Sequence, residues 1–426
     1  MRQVPARPRA VVVLTGSELV RGDRADGNGA YLARELTRLG LEPARLLLVG
    51  DDPAELEPAV REGLAADVCV LSGGLGPTHD DRTIETLARV AGRRLVVDDG
   101  LLREIEAFSR GVARRLGRPY GDFEAGVRKQ ASLPEGGASL GLAGTAPAVL
   151  LEHDGRVAVA LPGPPNEVRR LWPRFVSSEP LARVLAKTQP PRHTVLRFFG
   201  PSESAVARAL EEAGGEVPGV EVTVCAHDLE IRVDLFSRDE GDEPSDALAA
   251  ALRGRFETEL FAEDERPVAE LVLDLCRERG FTLATAESCT GGLVGARLTA
   301  VPGSSDVFLG AVVAYADETK RRLLAVPGEI LAAHGSVSAE AAEAMATGAL
   351  AALGADAAVS VTGVAGPGGG TEEKPVGLVF VHAKSPDGDS ARRIQLPGDR
   401  ETVRVRATSV ALHMLRRLLA QGVTNA

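Results

Sequence analysis

The sequence predicts an α/β protein of three successive units, and three observations carry that expectation. Its length of 426 residues exceeds what one core holds, because single cores stop growing at about 250–300 residues. Short β-rich runs alternate with helical patterns over 1–174 and again over 263–426, the signature of parallel sheets flanked by helices. Between them, over 175–262, the order becomes strand, helix, paired strands and helix, which reads as a small α+β module.

In the first unit the strands are AVVVLTG (10–16), PARLLLVG (43–50) and DVCVLSGG (67–74), separated by helices around Asn28 to Leu39 and near Ala54 to Ala65. The stretch AVLLEHDGRVAVALPG (148–163) reads as a hairpin about Asp154-Gly155, a pair suited to left-handed turn positions. After the Pro-rich TQPPRH (188–193) come TVLRFFG, SESAVARALEEA, VEVTVCAHDLEIRVDLF and SDALAAALRGRF. The polar AEDERP (262–267) separates this module from the last unit.

A hydrophobic share of 44% and a charged share of 26% are those of a globular chain without a disordered bias. No apolar run is long enough to span a bilayer and no cleavable leader is legible, so a cytoplasmic protein with no membrane partner is expected. The four cysteines are dispersed, with no disulfide framework and no zinc spacing. A net charge of −11 argues against nucleic acid as a partner, because backbone binding relies on clustered cations. Only five lysines stand among the 49 basic residues. A lysine in an unusual place therefore invites a chemical reading, since lysine and not arginine readily loses its proton.

Neither GxxxxGK[ST] nor GxGxxG occurs, so P-loop and dinucleotide-fold readings have no support. Gly137 to Gly141 matches GxSxG, but it lacks the preceding strand and following helix that a nucleophile elbow needs. LSGGLGPTHDDRTIETLA (71–88) carries more. A strand ends in a glycine-rich turn and a helix begins near Thr83, so exposed N–H groups form an anion site and Gly73, Gly74 and Gly76 let the backbone approach a phosphate closely. Asp80 and Asp81 either hold a divalent cation or cap that helix, and the spacing leaves both readings open. GSELVRGDRADGN (16–28) and LPGPPNEVRRLW (161–172) also follow strands, where open α/β sheets bind ligands. Glu18, Asp23 and Asn28 are thereby drawn towards the crevice of Asp80 and Asp81, and the second segment adds rigid prolines and Glu167, although each segment taken alone is more often a turn.

In the last unit FTLATAESCTGGLVGARLT (281–299) places Ser288 where a strand hands over to a helix opened by Thr290, Gly291 and Gly292. Ser288 is there either a nucleophile beside helix N–H groups or the helix N-cap. VVAYADETKRRLL (312–324) puts Tyr315 at a strand end and Lys320 in the first turns of a helix, where the helix dipole should lower a lysine pKa. VSVTGVAGPGGGTEEKPVG (359–377) ends a further strand at Thr362 and Gly363 and continues into a loop rich in glycine, Gly366 among them. That loop is either a phosphate cradle or an ordinary surface loop.

Taken in order, these motifs resemble the CinA family over essentially the whole chain. The N-terminal motifs look like that family's MoaB/MogA-like domain, and AESCTGG, AYADETK, VTGVAGPGGGTEEKPVG and PGDRETVR look like the domain shared with stand-alone nicotinamide mononucleotide deamidases. The resemblance implies a MoaB/MogA-like ADP-ribose pyrophosphatase domain (1–174), a KH-like α+β middle domain (175–262) and an α/β deamidase domain (263–426). It implies cleavage of ADP-ribose to AMP and ribose 5-phosphate with a divalent cation (Mg2+ or Co2+) and K+. It also implies cofactor-free conversion of nicotinamide mononucleotide to nicotinic acid mononucleotide and ammonia, so that the protein recycles pyridine nucleotides as a homodimer.

Carried onto this chain, Ser288, Lys320 and Tyr315 are the expected catalytic group, with Tyr315 hydrogen-bonding the Ser–Lys relay. Thr290, Gly291, Gly292, Thr362, Gly363, Gly366 and Arg400 would bind the mononucleotide, Arg400 through its phosphate. Glu18, Asn28, Ser72, Gly73, Gly74, Gly76, Thr78, Pro162 and Gly163 would bind ADP-ribose, and Asp23, Asp80 and Asp81 the metal. The middle module has no GxxG clamp and more acidic than basic residues, which disfavours RNA. The rival reading is a molybdopterin- or nucleotide-binding adaptor in competence or DNA damage that carries a deamidase domain.

Overall fold

The structure, a computed structural model, describes residues 7–238 and 242–421. It divides into two compact units at Pro191/Arg192. The first contains β1 (Arg9–Thr15), α1 (Ser17–Val20), α2 (Gly29–Arg38), β2 (Glu42–Val49), α3 (Pro53–Ala65), β3 (Val68–Ser72), α4 (Thr83–Val90) and β4 (Leu95–Val97). It continues with α5 (Asp99–Leu116), α6 (Gly121–Gln130), β5 (Ser132–Pro134), β6 (Ala138–Leu142), β7 (Pro147–His153), β8 (Arg156–Leu161), α7 (Pro165–Val176) and α8 (Glu179–Leu185).

Six strands form one sheet in the order β2-β1-β3-β8-β7-β6, in which the first four are parallel and β7 runs antiparallel to both of its neighbours, β8 and β6. The near-continuous apolar run of β1 follows from its burial on both faces. Val11 and Val13 enter one core with Cys69 and Leu71, whereas Ala10, Val12 and Leu14 enter the other with Val68 and Val70. The β7–β8 hairpin turns at Asp154 and Gly155, both at positive φ (49° and 75°), as a two-residue loop between twisted strands requires. Ser139 lies inside β6, so GxSxG is not an elbow. Helix α8 buries Leu181 and Val184 in the first unit's core. The structural division therefore falls after α8 and not at 174/175.

The second unit begins with β9 (Arg192–Phe199), α9 (Glu203–Glu212), β10 (Val220–His227), β11 (Glu230–Ser237), α10 (Asp242–Arg255) and β12 (Leu260–Ala262), an antiparallel sheet in the order β10-β11-β9-β12. There follow α11 (Val268–Arg279), β13 (Leu283–Glu287), α12 (Leu293–Thr299), β14 (Phe308–Val313), α13 (Asp317–Leu324), α14 (Gly328–His334) and α15 (Ala339–Leu353). The unit closes with β15 (Ala357–Gly363), β16 (Leu378–Ser385), β17 (Gly388–Gln395) and α16 (Arg400–Gln421).

Its second sheet runs β14-β13-β15-β16-β17. The middle module shares a core with the rest of this unit: Phe199, Phe261 and Ala262 pack with Val272 and Cys276 of α11 and with Leu415 and Leu419 of α16. His413 of α16 stacks on Phe199 (3.9 Å between centroids) and meets the Glu230 carboxylate at 2.9 Å. No helix among the described residues is long and apolar enough to cross a membrane.

Candidate active site

Parallel register assembles the site of the second unit. Glu287 at the end of β13 pairs with Val313 of β14 and Val361 of β15, so Ser288 and Ala314-Tyr315, just past two strands, meet Thr362-Gly363, the last residues of a third, at one sheet edge. Ser288 is 7% exposed and is tied down by its N–H, which donates to the Val361 carbonyl (2.9 Å), and by its carbonyl, which accepts from Gly291 N–H (3.1 Å).

Lys320 of α13 is 1% exposed, and its Nζ lies 3.1 Å from Ser288 Oγ, 3.0 Å from the Ala314 carbonyl and 3.2 Å from the Tyr315 carbonyl. Burial holds its pKa below the usual lysine value, against the raising influence of Asp317. A neutral amine has two N–H donors and one lone pair. In that form it would donate to the two carbonyls and accept from the Ser288 hydroxyl, whereas the protonated form donates to all three oxygens.

The helix cap is Glu287 and not Ser288. Its fully buried carboxylate accepts from Gly292 N–H (2.9 Å) and Val294 N–H (3.1 Å) through Oε2, and from Gly295 N–H (2.8 Å) through Oε1. Gly291 and Gly292, at φ of 64° and 99°, give the chain the left-handed turn that lets Ser288 precede the helix without capping it. Cys289 is buried, and burial pushes its thiol up to about 12, so it is no thiolate nucleophile near neutrality.

The other expected residues fall around this centre with one correction. The Tyr315 side chain is 59% exposed, and its hydroxyl accepts from Arg400 Nη2 at 2.6 Å. Its backbone carbonyl, rather than its phenol, touches the Ser–Lys pair, because the strand-to-helix turn directs the ring outward. Arg400 Nη1 also donates to the Gly366 carbonyl (2.7 Å), which ties the glycine-rich loop to Tyr315. Gly366 sits at φ 83° before a cis peptide to Pro367. Thr362 donates to the Ser336 carbonyl (2.6 Å), and a Cβ at Gly363 would stand 2.7 Å from the Leu378 carbonyl oxygen. Thr290 is fully buried, and its Oγ1 has no partner among the described residues.

Two residues outside the sequence reading belong here. One is Glu287. The other is Arg404 of α16, whose Nε donates to the Cys289 carbonyl (3.2 Å) and whose Nη2 donates to the Thr290 carbonyl (2.8 Å). Its signal was the i, i+4 spacing from Arg400, which stacks the two on one helix face.

In the first unit, Asn28 Nδ2 donates to Ser72 Oγ (3.0 Å) and to the Gly163 carbonyl (2.8 Å), and Ser72 Oγ donates to the Pro162 carbonyl (3.0 Å). Asn28 is nearly buried, and its Oδ1 has no partner among the described residues. Glu18 lines one pocket with Asn28, Ser72 and Gly163, whereas Gly74, Gly76, Asp81 and Lys129 line another. Gly73 is compelled by close approach, since a Cβ there would stand 2.3 Å from the Thr15 carbonyl oxygen. Asp81 Oδ2 accepts from Thr78 N–H (2.8 Å) and Thr78 Oγ1, and Lys129 Nζ donates to the Thr78 carbonyl. Asp80 is exposed, and its hydrogen bond with the Thr78 side chain holds its carboxyl below the usual range.

The three expected metal ligands do not form one preformed cage. No group of three His, Cys, Asp or Glu residues stands ready for a metal among the described residues. Asp23 is exposed and pairs with Arg21 at 3.0 Å, a partner two residues away that the strand-end argument overlooked.

Comparison with known proteins follows the same division. The probable molybdopterin binding domain matches residues 11–183, and the CinA C-terminal domain matches residues 265–419. A CinA-like protein of Mycobacterium sp. (strain JLS) is 42% identical over 423 residues, covering 97% of this chain and 99% of its own. One of Mycobacterium tuberculosis (strain ATCC 25618 / H37Rv) is 41% identical over 426 residues, covering 97% of each. The chain belongs to the CinA family. Among solved structures, competence/damage inducible protein CihA of Agrobacterium tumefaciens is 39% identical, covering 37% of this chain and 99% of its own, with a TM-score of 0.35. The CinA assignment thus spans both units, with a MoaB/MogA-like domain in the first and the CinA C-terminal domain in the second.

Proposed function

We propose that the CinA C-terminal domain is an amidohydrolase that converts nicotinamide mononucleotide and water to nicotinic acid mononucleotide and ammonia. The observation that carries this reading is the buried Lys320 amine 3.1 Å from Ser288 Oγ. Lys320 takes the hydroxyl proton as Ser288 Oγ bonds to the carboxamide carbon. Its ammonium then returns that proton to the departing nitrogen as the C–N bond breaks and ammonia leaves. Water, deprotonated by the same amine, attacks the acyl-enzyme, releases the acid and restores Ser288. Arg400, beside the glycine-rich loop, is the proposed contact for the substrate phosphate. The test is ammonia release and mass-spectrometric detection of nicotinic acid mononucleotide. Ser288→Ala should abolish both, and full turnover by the folded variant would remove the serine from the reaction.

We propose in addition that the first unit hydrolyses ADP-ribose to AMP and ribose 5-phosphate. The glycine turn leading into α4, with Lys129 beside it, supports phosphate binding there. Magnesium is commonly held by one or two carboxylates together with substrate phosphates. Asp80 and Asp81 fit that pattern and Asp23 does not. A divalent cation bound in that way would neutralise developing phosphate charge.

The engagement of Asp81 Oδ2 by the Thr78 N–H and hydroxyl, which gives that carboxylate a structural role without a metal, favours a second reading, a nucleotide-binding module that does not cleave. Incubation with ADP-ribose and Mg2+ or Co2+, with and without K+, separates the two: AMP supports cleavage, and binding without AMP supports the adaptor. A homodimer is part of the same proposal, and light scattering tests it.

A further inference from the structure

The proposed acyl transfer makes an oxyanion next to Ser288, and most N–H groups of the adjoining turn and helix are already engaged. Those of Gly292, Val294 and Gly295 donate to Glu287, that of Gly291 to the Ser288 carbonyl, and that of Ser288 to Val361. Between Ser288 and Gly291 this leaves the N–H groups of Cys289 and Thr290. Both lie against the Cys289 sulfur, and a protonated thiol is a weak acceptor that yields readily to an oxyanion.

What fixes the direction of the Thr290 N–H is the far side of its own peptide. The Cys289 carbonyl and the Thr290 N–H are the two ends of one planar trans peptide and point oppositely. Arg404 holds that carbonyl through Nε (3.2 Å) and the next one, of Thr290, through Nη2 (2.8 Å). Two donors of one rigid fork on successive carbonyls lock the rotation of both peptides, which a single flexible ammonium does not do. A cation on the carbonyl also polarises the N–H at the other end of its peptide. Arg404 is half-buried, and its own backbone carbonyl accepts from Thr408 Oγ1 one turn on (2.9 Å).

We infer that Arg404 is a positioning residue that aims the Thr290 N–H at the oxyanion formed on attack by Ser288, beside the Cys289 N–H, whose peptide is held instead by the Gly291 N–H on the Ser288 carbonyl. This role rests on the amidase reading above. It leaves the phosphate contact to Arg400 and gives Arg404 no contact with substrate.

The experiment uses full-length Arg404→Ala and Arg404→Lys with nicotinamide mononucleotide as substrate and inorganic phosphate as competing ligand. Misaimed donors act in the transition state, so kcat should fall about 10- to 100-fold in the alanine variant with KM nearly unchanged. Inhibition by phosphate should keep its wild-type strength. Arg404→Lys should recover only part of the loss, and added guanidinium should restore part of the alanine variant's rate, which a merely unfolded site would not allow.

Unchanged kcat would overturn the inference. So would a raised KM with weakened phosphate inhibition, since Arg404 would then be a phosphate clamp. So would a loss that neither lysine nor guanidinium relieves. Labelling of Ser288 by a fluorophosphonate separates this inference from the substrate assignment. There the Oγ–P bond forms, fluoride leaves and Lys320 takes the proton, and the new P–O oxygen occupies the same hole. Slower labelling of Arg404→Ala, found with a wild type inert towards the mononucleotide, would keep the positioning role and remove the proposed substrate. Equal labelling of the two proteins would refute the positioning role itself.

Discussion

Replacing Glu287 by glutamine changes one atom type in a fully buried side chain and should destabilise the second unit strongly. The carboxylate accepts four hydrogen bonds, from the N–H groups of Gly292, Val294 and Gly295 and from Thr285 Oγ1 at 3.3 Å. An amide offers one oxygen, so its NH2 must face either Gly292 and Val294 or Gly295 and Thr285, donor against donor. Hydrogen bonds to a charged acceptor contribute about 1.5–3 kcal/mol each, and a buried orphan keeps its desolvation cost. With partial relaxation the net loss is about 2–4 kcal/mol. For a unit of this size 1 kcal/mol corresponds to about 2–4 °C, so its Tm should fall by roughly 5–15 °C. Calorimetry of full-length Glu287→Gln checks this, with the first unit's transition as an internal control. A shift of less than about 1 °C would refute the assignment of Glu287 as the cap of α12.

Other consequences follow from the same contacts. His413 is fully buried and desolvation lowers its pKa from 6.5 to about 4. The unfolded chain therefore binds a proton that the folded chain refuses in that window, and stability, complete above pH 6.5, should fall by about 3 kcal/mol as the pH drops to 4. Glu230, whose pKa is lowered by His413 and Arg197 against desolvation, acts in the same direction. Urea midpoints from pH 7 to 4 test this, and a flat profile would contradict it. A fragment starting at residue 263 loses the cover of Phe199 and Phe261 on α16, at about 2–3 kcal/mol for each ring. It should unfold at lower urea than a fragment of residues 192–421, and equal midpoints would show that the shared core contributes nothing. Asp81→Ala should abolish AMP formation from ADP-ribose and spare ammonia release from the mononucleotide. Parallel loss of both activities in a folded variant would contradict separate sites.

Much of the fold was legible because its strands announce themselves. Apolar runs with strand-end glycines marked β1, β3, β13 and β15, and Asp154-Gly155 marked a hairpin turn. Proximity of Ser288 and Lys320, 32 residues apart in sequence, was not legible, since it depends on the parallel register that joins β14 to β13. Glu287 was missed because cap preferences favour serine, and the rule cannot see that two glycines swing the helix start back over the preceding side chain. The ion pair of Asp23 with Arg21 was not legible, because a strand-end position says nothing of the arginine two residues before it. The boundary at 174/175 followed a change of pattern, whereas the burial of Leu181 and Val184 decides that α8 belongs to the first unit.

The central claim is that Lys320 works as a neutral base on Ser288, and Lys320→Arg tests it most directly. A guanidinium with a pKa above about 12 keeps charge and reach but cannot take a proton at neutral pH. The measurement is kcat/KM for hydrolysis of nicotinamide mononucleotide by folded Lys320→Arg beside wild type and Lys320→Met. The account predicts that arginine loses turnover as completely as methionine, and that wild-type activity rises with pH through a group titrating below the ordinary lysine value of 10.5. Robust turnover by the folded arginine variant would contradict it.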